Sequence, residues 1–268
     1  MEGFLERPLG RTWYRVTGEG GRTPLVCLHG GPGSTHNYFR PLERLADERR
    51  VVMYDQLGCG RSDRPEVEWS LAIFTEELEH LREQLGLERI HLLGTSWGGM
   101  LALEHALEHP ESVRGLVLSS TLASADEWVA EVKRLRDAID GDDDDEVLGE
   151  FERRHFFRGE RDPLELVRMR EEKSSVVYEA MWGPNEWTMT GALAGWDVRR
   201  RLGELRMPTL ILRGAHDLST PAISKTLTDG IPHAREVVFE ESAHTPVLEE
   251  TERYLRTVRE FLYAVEGR

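Results

Sequence analysis

Gly94-Thr95-Ser96-Trp97-Gly98 sets a serine between two glycines. An apolar run, Ile90 to Leu93, precedes it, and an apolar-periodic stretch, Met100 to Leu107, follows. Strand, sharp turn, helix is the context in which G-x-S-x-G lifts a serine hydroxyl onto the tip of a strained turn. Glycines flank it because side chains there would strike the adjoining strand or helix. A serine hydroxyl becomes a strong nucleophile only when a base takes its proton and an acid holds the base. The expected chain order is Ser, then Asp or Glu, then His. Downstream, Pro208 to Gly214 reads as a buried strand with Asp217 just beyond it, and Glu236 to Phe239 as another with His244 just beyond. Both follow the carboxyl ends of strands, where open α/β sheets build their sites. Ser96, Asp217 and His244 are therefore the expected nucleophile, acid and base. His216 falls one residue early for the acid and is the wrong residue type; His233 lies in a turn before the last strand.

A tetrahedral intermediate needs backbone N–H donors aimed at its oxygen. Trp97, the residue after the nucleophile, supplies one. The second should come from His29-Gly30-Gly31-Pro32-Gly33, which follows the strand Leu25 to Leu28, and Gly31 is the expected donor. His29 reads as structural, holding this loop by hydrogen bonds. The loop lacks the phosphate-binding patterns G-x-x-x-x-G-K-[ST] and G-x-G-x-x-G.

One sequence competes. His105-Ala106-Leu107-Glu108-His109 fits H-x-x-E-H, an inverted zinc-protease signature. Its helix follows the serine turn and should pack on the sheet, His109-Pro110 reads as a helix end, and no third ligand suggests itself. The expected chemistry needs no metal. Asp142-Asp143-Asp144-Asp145 does not match a calcium loop and reads as solvated.

The elements that must position these groups follow a βα rhythm. Residues 1–20 read as an antiparallel hairpin, and short apolar runs recur at Leu25–Leu28, Val51–Tyr54, Ile90–Leu93, Leu116–Leu118, Leu210–Leu212 and Val237–Phe239. Helical patterns lie between several of them; Phe74, Leu78, Leu81 and Leu85 make one apolar helix face. This predicts a mostly parallel sheet with helices on both faces. The rhythm breaks between Leu122 and Arg201, where charge is dense and helical stretches dominate. The expected organisation is a core of residues 1–121 and 202–268, with residues 122–201 a helical cap over the catalytic strand ends.

The bulk numbers agree with a cytoplasmic enzyme. A chain of 268 residues suits one α/β domain with an insertion. Its two cysteines, Cys27 and Cys59, argue against a disulfide framework and for a reducing compartment. The formal charge of −15 opposes nucleic acid and anionic membranes as partners. No apolar run approaches a membrane span, and the N-terminus lacks a signal-peptide layout.

The loop His29 to Gly33, the run Asp55-Gln56-Leu57-Gly58-Cys59-Gly60-Arg61-Ser62-Asp63, the serine turn Gly94 to Gly99, and the Asp217 and His244 loops together resemble the proline iminopeptidase (prolyl aminopeptidase) group of the α/β-hydrolase superfamily. The resemblance covers nearly the whole chain. It implies an eight-stranded sheet, a helical cap and hydrolysis without a cofactor. Members remove N-terminal residues, often proline, from peptides, and some relatives act on amino-acid amides or esters. Gly183-Pro184-Asn185-Glu186-Trp187-Thr188 is similar to the segment in which a glutamate of the tricorn-interacting aminopeptidases binds the substrate amine, which gives Glu186 that role. Those enzymes carry a second glutamate directly after the catalytic Asp; here that position is Leu218. The expected substrates are small peptides or amino-acid amides and esters. The runner-up is an esterase or amidase with no need of a free amine. A ligand-binding protein and a cofactor-free haloperoxidase are further readings; a pure binder would need no oxyanion hole.

Overall fold

The computed structural model describes residues 1–141 and 144–267, so Asp142 and Asp143 of the acidic run lie outside the described residues. The strands are β1 (Glu2–Leu5), β2 (Thr12–Leu28), β3 (Arg49–Tyr54), β4 (Ile90–Thr95), β5 (Val113–Ser119), β6 (Thr209–Gly214) and β7 (Ala234–Phe239). Helix α1 (Leu71–Gln84) precedes β4, and α2 (Trp97–Glu108) joins β4 to β5. Four helices, α3 (Ala125–Asp137), α4 (Asp144–His155), α5 (Leu164–Glu172) and α6 (Ser175–Met181), separate β5 from β6. Then come α7 (Pro221–Gly230), α8 (Pro246–Glu249) and α9 (Thr251–Glu266), with 3₁₀ turns at His36–Leu45 and Arg199–Glu204.

The strands form one sheet in the order β1-β2-β4-β5-β6-β7, with β3 paired to β2. Pairing from β2 through β7 along that path is parallel. The sheet has seven strands rather than the expected eight. The difference lies in β2, which doubles back near Gly18–Gly21. Its first arm runs antiparallel to β3, Tyr14 opposite Tyr54 and Thr17 opposite Val51; its second runs alongside β3, Leu25 opposite Val51 and Cys27 opposite Met53. One continuous strand thus fills two positions.

Side-chain alternation splits the core between the two faces of the sheet. Val26, Leu28, Val52, Tyr54, Leu92, Leu116, Leu118 and Ile211 meet α1, α2 and α7 on one face. Leu25, Cys27, Val51, Met53, Leu93, Val117, Leu210 and Leu212 meet α9 and the His36–Leu45 turn on the other. Cys27 and Cys59 are both free and buried. Among the described residues, no helix is long and apolar enough to cross a membrane.

The helical stretch between β5 and β6 leaves and returns through one neck. Ala125 N–H donates to Trp196 O at 2.8 Å, and Val198 N–H to Ala123 O at 3.0 Å. It also touches the loop after β2, where Ser174 N–H donates to Gly33 O at 2.7 Å.

The glycines beside Ser96 are demanded by close backbone approach. A Cβ on Gly98 would sit 2.0 Å from Leu28 O, and one on Gly94 2.1 Å from Gly98 O. Neither neighbour is a side chain that could turn aside. Gly98→Ala must therefore push α2 off β2, an overpacking cost of about 3 kcal/mol or more. At this chain length the melting temperature should fall by roughly 6–12 °C. Calorimetry of the variant checks this; a melting point within a degree or two of the parent would mean that the contact is looser than described.

Candidate active site

Ser96 ends β4 with φ 54° and ψ −123°, the first central geometry of a type II′ turn. Such a conformation costs a non-glycine residue about 1–3 kcal/mol. Four hydrogen bonds offset it. Ser96 N–H donates to Ser119 O at 3.0 Å, and Ser96 O accepts from Gly99 N–H at 2.8 Å and Met100 N–H at 3.3 Å. Thr121 Oγ1 donates to the same carbonyl at 2.7 Å. At about 0.5–1.5 kcal/mol each, they suffice to hold the turn.

Asp217 and His244 come from the loops after β6 and β7. Asp217 Oδ1 lies 2.7 Å from His244 Nδ1 and accepts from Ser219 N–H at 2.9 Å. Its other oxygen accepts from Gly214 N–H at 3.2 Å. A carboxylate so held orients the imidazole and fixes its Nδ1 proton, leaving Nε2 as the base. Burial draws the His244 pKa down, but the charge and hydrogen bond of Asp217, helped by Glu186 and Glu249, outweigh it and leave it above the usual imidazole value. Trp128 meets the His244 ring edge-on at 5.9 Å, and Phe156 lies 5.5 Å away. Phe156 O also accepts from His244 N–H at 3.2 Å. Ser96, Asp217 and His244 are 8 %, 4 % and 5 % exposed, so a charge forming among them is only weakly screened by water.

Gly31 lines the same cavity as this serine, and Trp97 follows it directly in the chain. Gly31 has φ 111° and is followed by a cis bond to Pro32. Its N–H donates to no protein acceptor among the described residues, whereas that of Gly30 is taken by Tyr38 Oη at 2.6 Å. Trp97 opens α2, where the N–H has no acceptor within the helix. A Cβ on Gly30 would lie 3.1 Å from Ser96 Cβ, so a larger residue there would press the loop against the serine.

His29 holds this loop, as its sequence context suggests. Gln56 N–H donates to His29 Nε2 at 3.0 Å, so the ring proton sits on Nδ1 and faces Gly30 O at 3.0 Å. Burial pulls the His29 pKa down to about 4, keeping it neutral. The Gln56 side chain donates to His29 O at 2.9 Å and accepts from Trp97 Nε1–H at 2.8 Å, which ties the loop to α2. Asp55 accepts from His36 N–H at 2.9 Å and Arg61 N–H at 3.0 Å.

Glu77 was not visible as a site residue. It is fully buried on α1, accepts from Leu57 N–H at 3.0 and 3.1 Å, and also pairs with the Thr12 hydroxyl. Burial raises its pKa to about 7 against the pull of Thr12, Arg7 and Leu57.

Ser96, His244, Gly31, Glu186 and Leu218 all line one cavity of about 380 Å³, a volume suited to a small ligand. Asp217 stands behind His244 rather than in the wall. Tyr178 Oη donates to Glu186 Oε1 at 2.9 Å. Burial raises the Glu186 pKa, opposed by His244 and Tyr178. Leu218 brings no charge to the wall, but Glu152 and Glu179 do, and neither was singled out in the sequence. Both lie in the helical stretch, and their arrival at this wall depends on tertiary packing.

The H-x-x-E-H sequence needs a correction. His105 and His109 do share a face of α2, with ring centroids 4.9 Å apart. A third potential ligand is present after all: Glu79 of α1 joins them, one ligand atom from each lying within 4.8 Å of the others. None of the three lines the Ser96 cavity.

Comparison with known proteins shows the family to which the chain belongs. Residues 23–251 match the family described as the alpha/beta hydrolase fold. The proline iminopeptidase of Clostridioides difficile (strain 630) is 42 % identical, with 98 % of each chain covered. That of Lactobacillus delbrueckii subsp. bulgaricus is 40 % identical, with 94 % of each covered. The crystal structure of VinJ superposes with a TM-score of 0.94 at 36 % identity, covering 99 % of both chains. That of proline iminopeptidase from Mycobacterium smegmatis gives 0.91 at 32 % identity, covering 99 % of this chain and 98 % of the other. The chain belongs to the α/β-hydrolase family and, within it, to the proline iminopeptidase group.

Proposed function

We propose that the protein is a serine aminopeptidase that releases N-terminal residues, proline foremost, from short peptides and amino-acid amides. The observation that carries this reading is one cavity onto which Ser96, the Asp217-paired His244 and the Glu186 carboxylate all open. Ser96 Oγ attacks the scissile carbonyl while His244 Nε2 takes its proton. Gly31 and Trp97 N–H receive the oxyanion. The imidazolium then protonates the departing amine, leaving an acyl-enzyme. Water, deprotonated by the same imidazole, attacks the ester and frees the residue. No step calls on a cofactor or a metal.

Residues 122–201 act in this reading as a cap, since they supply Glu152, Tyr178, Glu179 and Glu186 to the wall. A substrate ammonium in so enclosed a site needs a paired anion, and Glu186 supplies it. Leu218 contributes none, so amine affinity is modest. That same residue favours the second reading, an esterase or amidase indifferent to the amine. Two buried free thiols suit a reducing cytoplasm.

Ser96→Ala should lower kcat by roughly 10⁴–10⁶-fold with the fold intact. Adding His244→Ala should cost little more, because the two act as a unit. A Ser96→Ala enzyme of near-parental rate would end the mechanism.

The pH profile follows from the raised His244 pKa. The base works only when neutral, so kcat/KM should climb as pH rises through that value, with an acid limb above the ordinary imidazole pKa of about 6.5. Glu186→Gln deletes a charge that favours imidazolium, so the limb should slide to lower pH. A limb that stays put would uncouple the two groups.

The amine itself is tested with proline p-nitroanilide against its N-acetyl form. The free amine should be strongly preferred. Losing one buried charged contact costs about 2–5 kcal/mol, so Glu186→Gln should depress kcat/KM for the free amine by roughly ten- to a thousandfold and barely affect simple esters. Equal turnover of blocked and unblocked substrates would promote the esterase or amidase reading instead.

A further inference from the structure

Helices α1 and α2 meet at their solvent-facing edge around Glu79, His105 and His109. We propose that these three residues form a binding site for a divalent transition-metal ion of the zinc class, separate from the hydrolytic centre.

The hydrogen bonds around His105 carry the argument. Ser112 Oγ lies 2.8 Å from His109 O, a carbonyl that can only accept, so the single serine proton is spent there. The same Oγ lies 3.1 Å from His105 Nε2. With its own proton committed, Ser112 must accept, and His105 Nε2 must be the donor. The neutral ring therefore presents a bare lone pair at Nδ1. His105 is fully buried, and its Nδ1 has no hydrogen-bond partner among the described residues. A buried acceptor left without a partner calls for an explanation. A metal-ligating histidine has just this arrangement: one nitrogen donates to a polar neighbour while the other is free to bind.

The other two ligands complete a set. His109 lies one helical turn on, and Glu79 reaches across from α1, one ligand atom from each of the three within 4.8 Å of the others. Ligands at zinc distances around a tetrahedral ion stand about 3.4 Å apart, so the site closes by modest side-chain rotation. Both Glu79 oxygens already accept from Arg82, at 2.9 and 2.5 Å. A carboxylate retains further lone pairs, so Arg82 can stay as a steadying neighbour. Glu76, Glu83 and Glu108 rim the adjoining hollow of about 240 Å³ with His80 and His109, and their charge favours a cation. Two imidazoles with one carboxylate select zinc, copper or nickel over magnesium or calcium. His105 is nine residues beyond Ser96 on α2, about 14 Å along the helix, so the ion lies outside the reacting cavity. It would staple α1 to α2.

The test uses the full chain without a histidine tag, stripped with EDTA and titrated with zinc chloride by calorimetry, beside thermal unfolding. One zinc per chain should bind, and the melting temperature should rise steadily with zinc concentration; magnesium chloride should do neither. His109→Ala and Glu79→Gln, both at the partly exposed edge, should abolish the tight site while leaving the circular dichroism unchanged. Ser112→Ala, which removes the acceptor of His105 Nε2 together with the hydroxyl donor to His109 O, should weaken binding by about 10–100-fold. No heat and no thermal shift in excess zinc would overturn the proposal. So would zinc binding that His109→Ala and Glu79→Gln leave undiminished.

Discussion

The backbone of Ser96 is the constraint on which the rest of the site depends. Its positive φ turns the chain from β4 into α2 within one residue. Everything within reach must then accommodate backbone rather than side chain. Gly94 leaves room for Gly98, Gly98 for Leu28, and Gly30 for Thr95 and Ser96. Ser119 at the end of β5, Thr121 just beyond it and the first turn of α2 supply the acceptor and donors that hold the turn. Because α2 starts at once, its unpaired first N–H groups are delivered beside the serine. The same geometry that raises the hydroxyl thus also supplies dipoles of the sign a developing oxyanion needs.

A second layer fixes the loops around that turn. His29, Gln56 and Trp97 form a chain of directed hydrogen bonds whose polarity is set by two groups that can only donate, Gln56 N–H and Trp97 Nε1–H. Asp55 and Glu77 then hold the Gln56 to Asp63 segment from its two sides. These buried groups differ in electrostatic character. Asp55 sits against His36 and keeps a pKa below the usual carboxylate range despite its burial. Glu77 has neutral donors and a more distant Arg7 at 3.8 Å, and burial dominates. Similar carboxylates with different partners end with opposite shifts.

What the sequence made legible follows from the range of each interaction. The serine turn and the H-G-G-P-G loop declare themselves because their glycines answer local backbone demands. The order of the strands and the placing of Asp217 and His244 after two of them follow from periodicity and from where such sheets build sites. The hairpin of residues 1–20 and the run Leu25–Leu28 read as separate elements in the sequence, yet β2 is continuous from Thr12 to Leu28 and pairs with β3 on both sides of Gly18–Gly21. Glu77 was hidden because it occupies an apolar helix face that looked complete with Phe74, Leu78 and Leu81. Its partners, Thr12 and Leu57, are remote in the chain. Glu79 escaped for the same reason: His105 and His109 are neighbours by helix period, but the third group arrives from another helix. Glu152 and Glu179 likewise reach the cavity only through packing.

The neck between β5 and β6 has a consequence for assembly. Within the sheet, β4 meets β5 through short-range register, Leu92 opposite Leu116, whereas Leu116 meets Thr209 across the whole helical stretch. That separation is roughly four times longer, two doublings, and closing it costs about 1.2 kcal/mol more chain entropy. Ser96 lies on one side of this junction; Asp217 and His244 lie on the other. A chain that has built its sheet through β5 already owns the strained turn but neither the acid nor the base. On the proposed mechanism the hydroxyl therefore stays chemically quiet in any such half-built state, and its reactivity is coupled to the longest closure along the sheet.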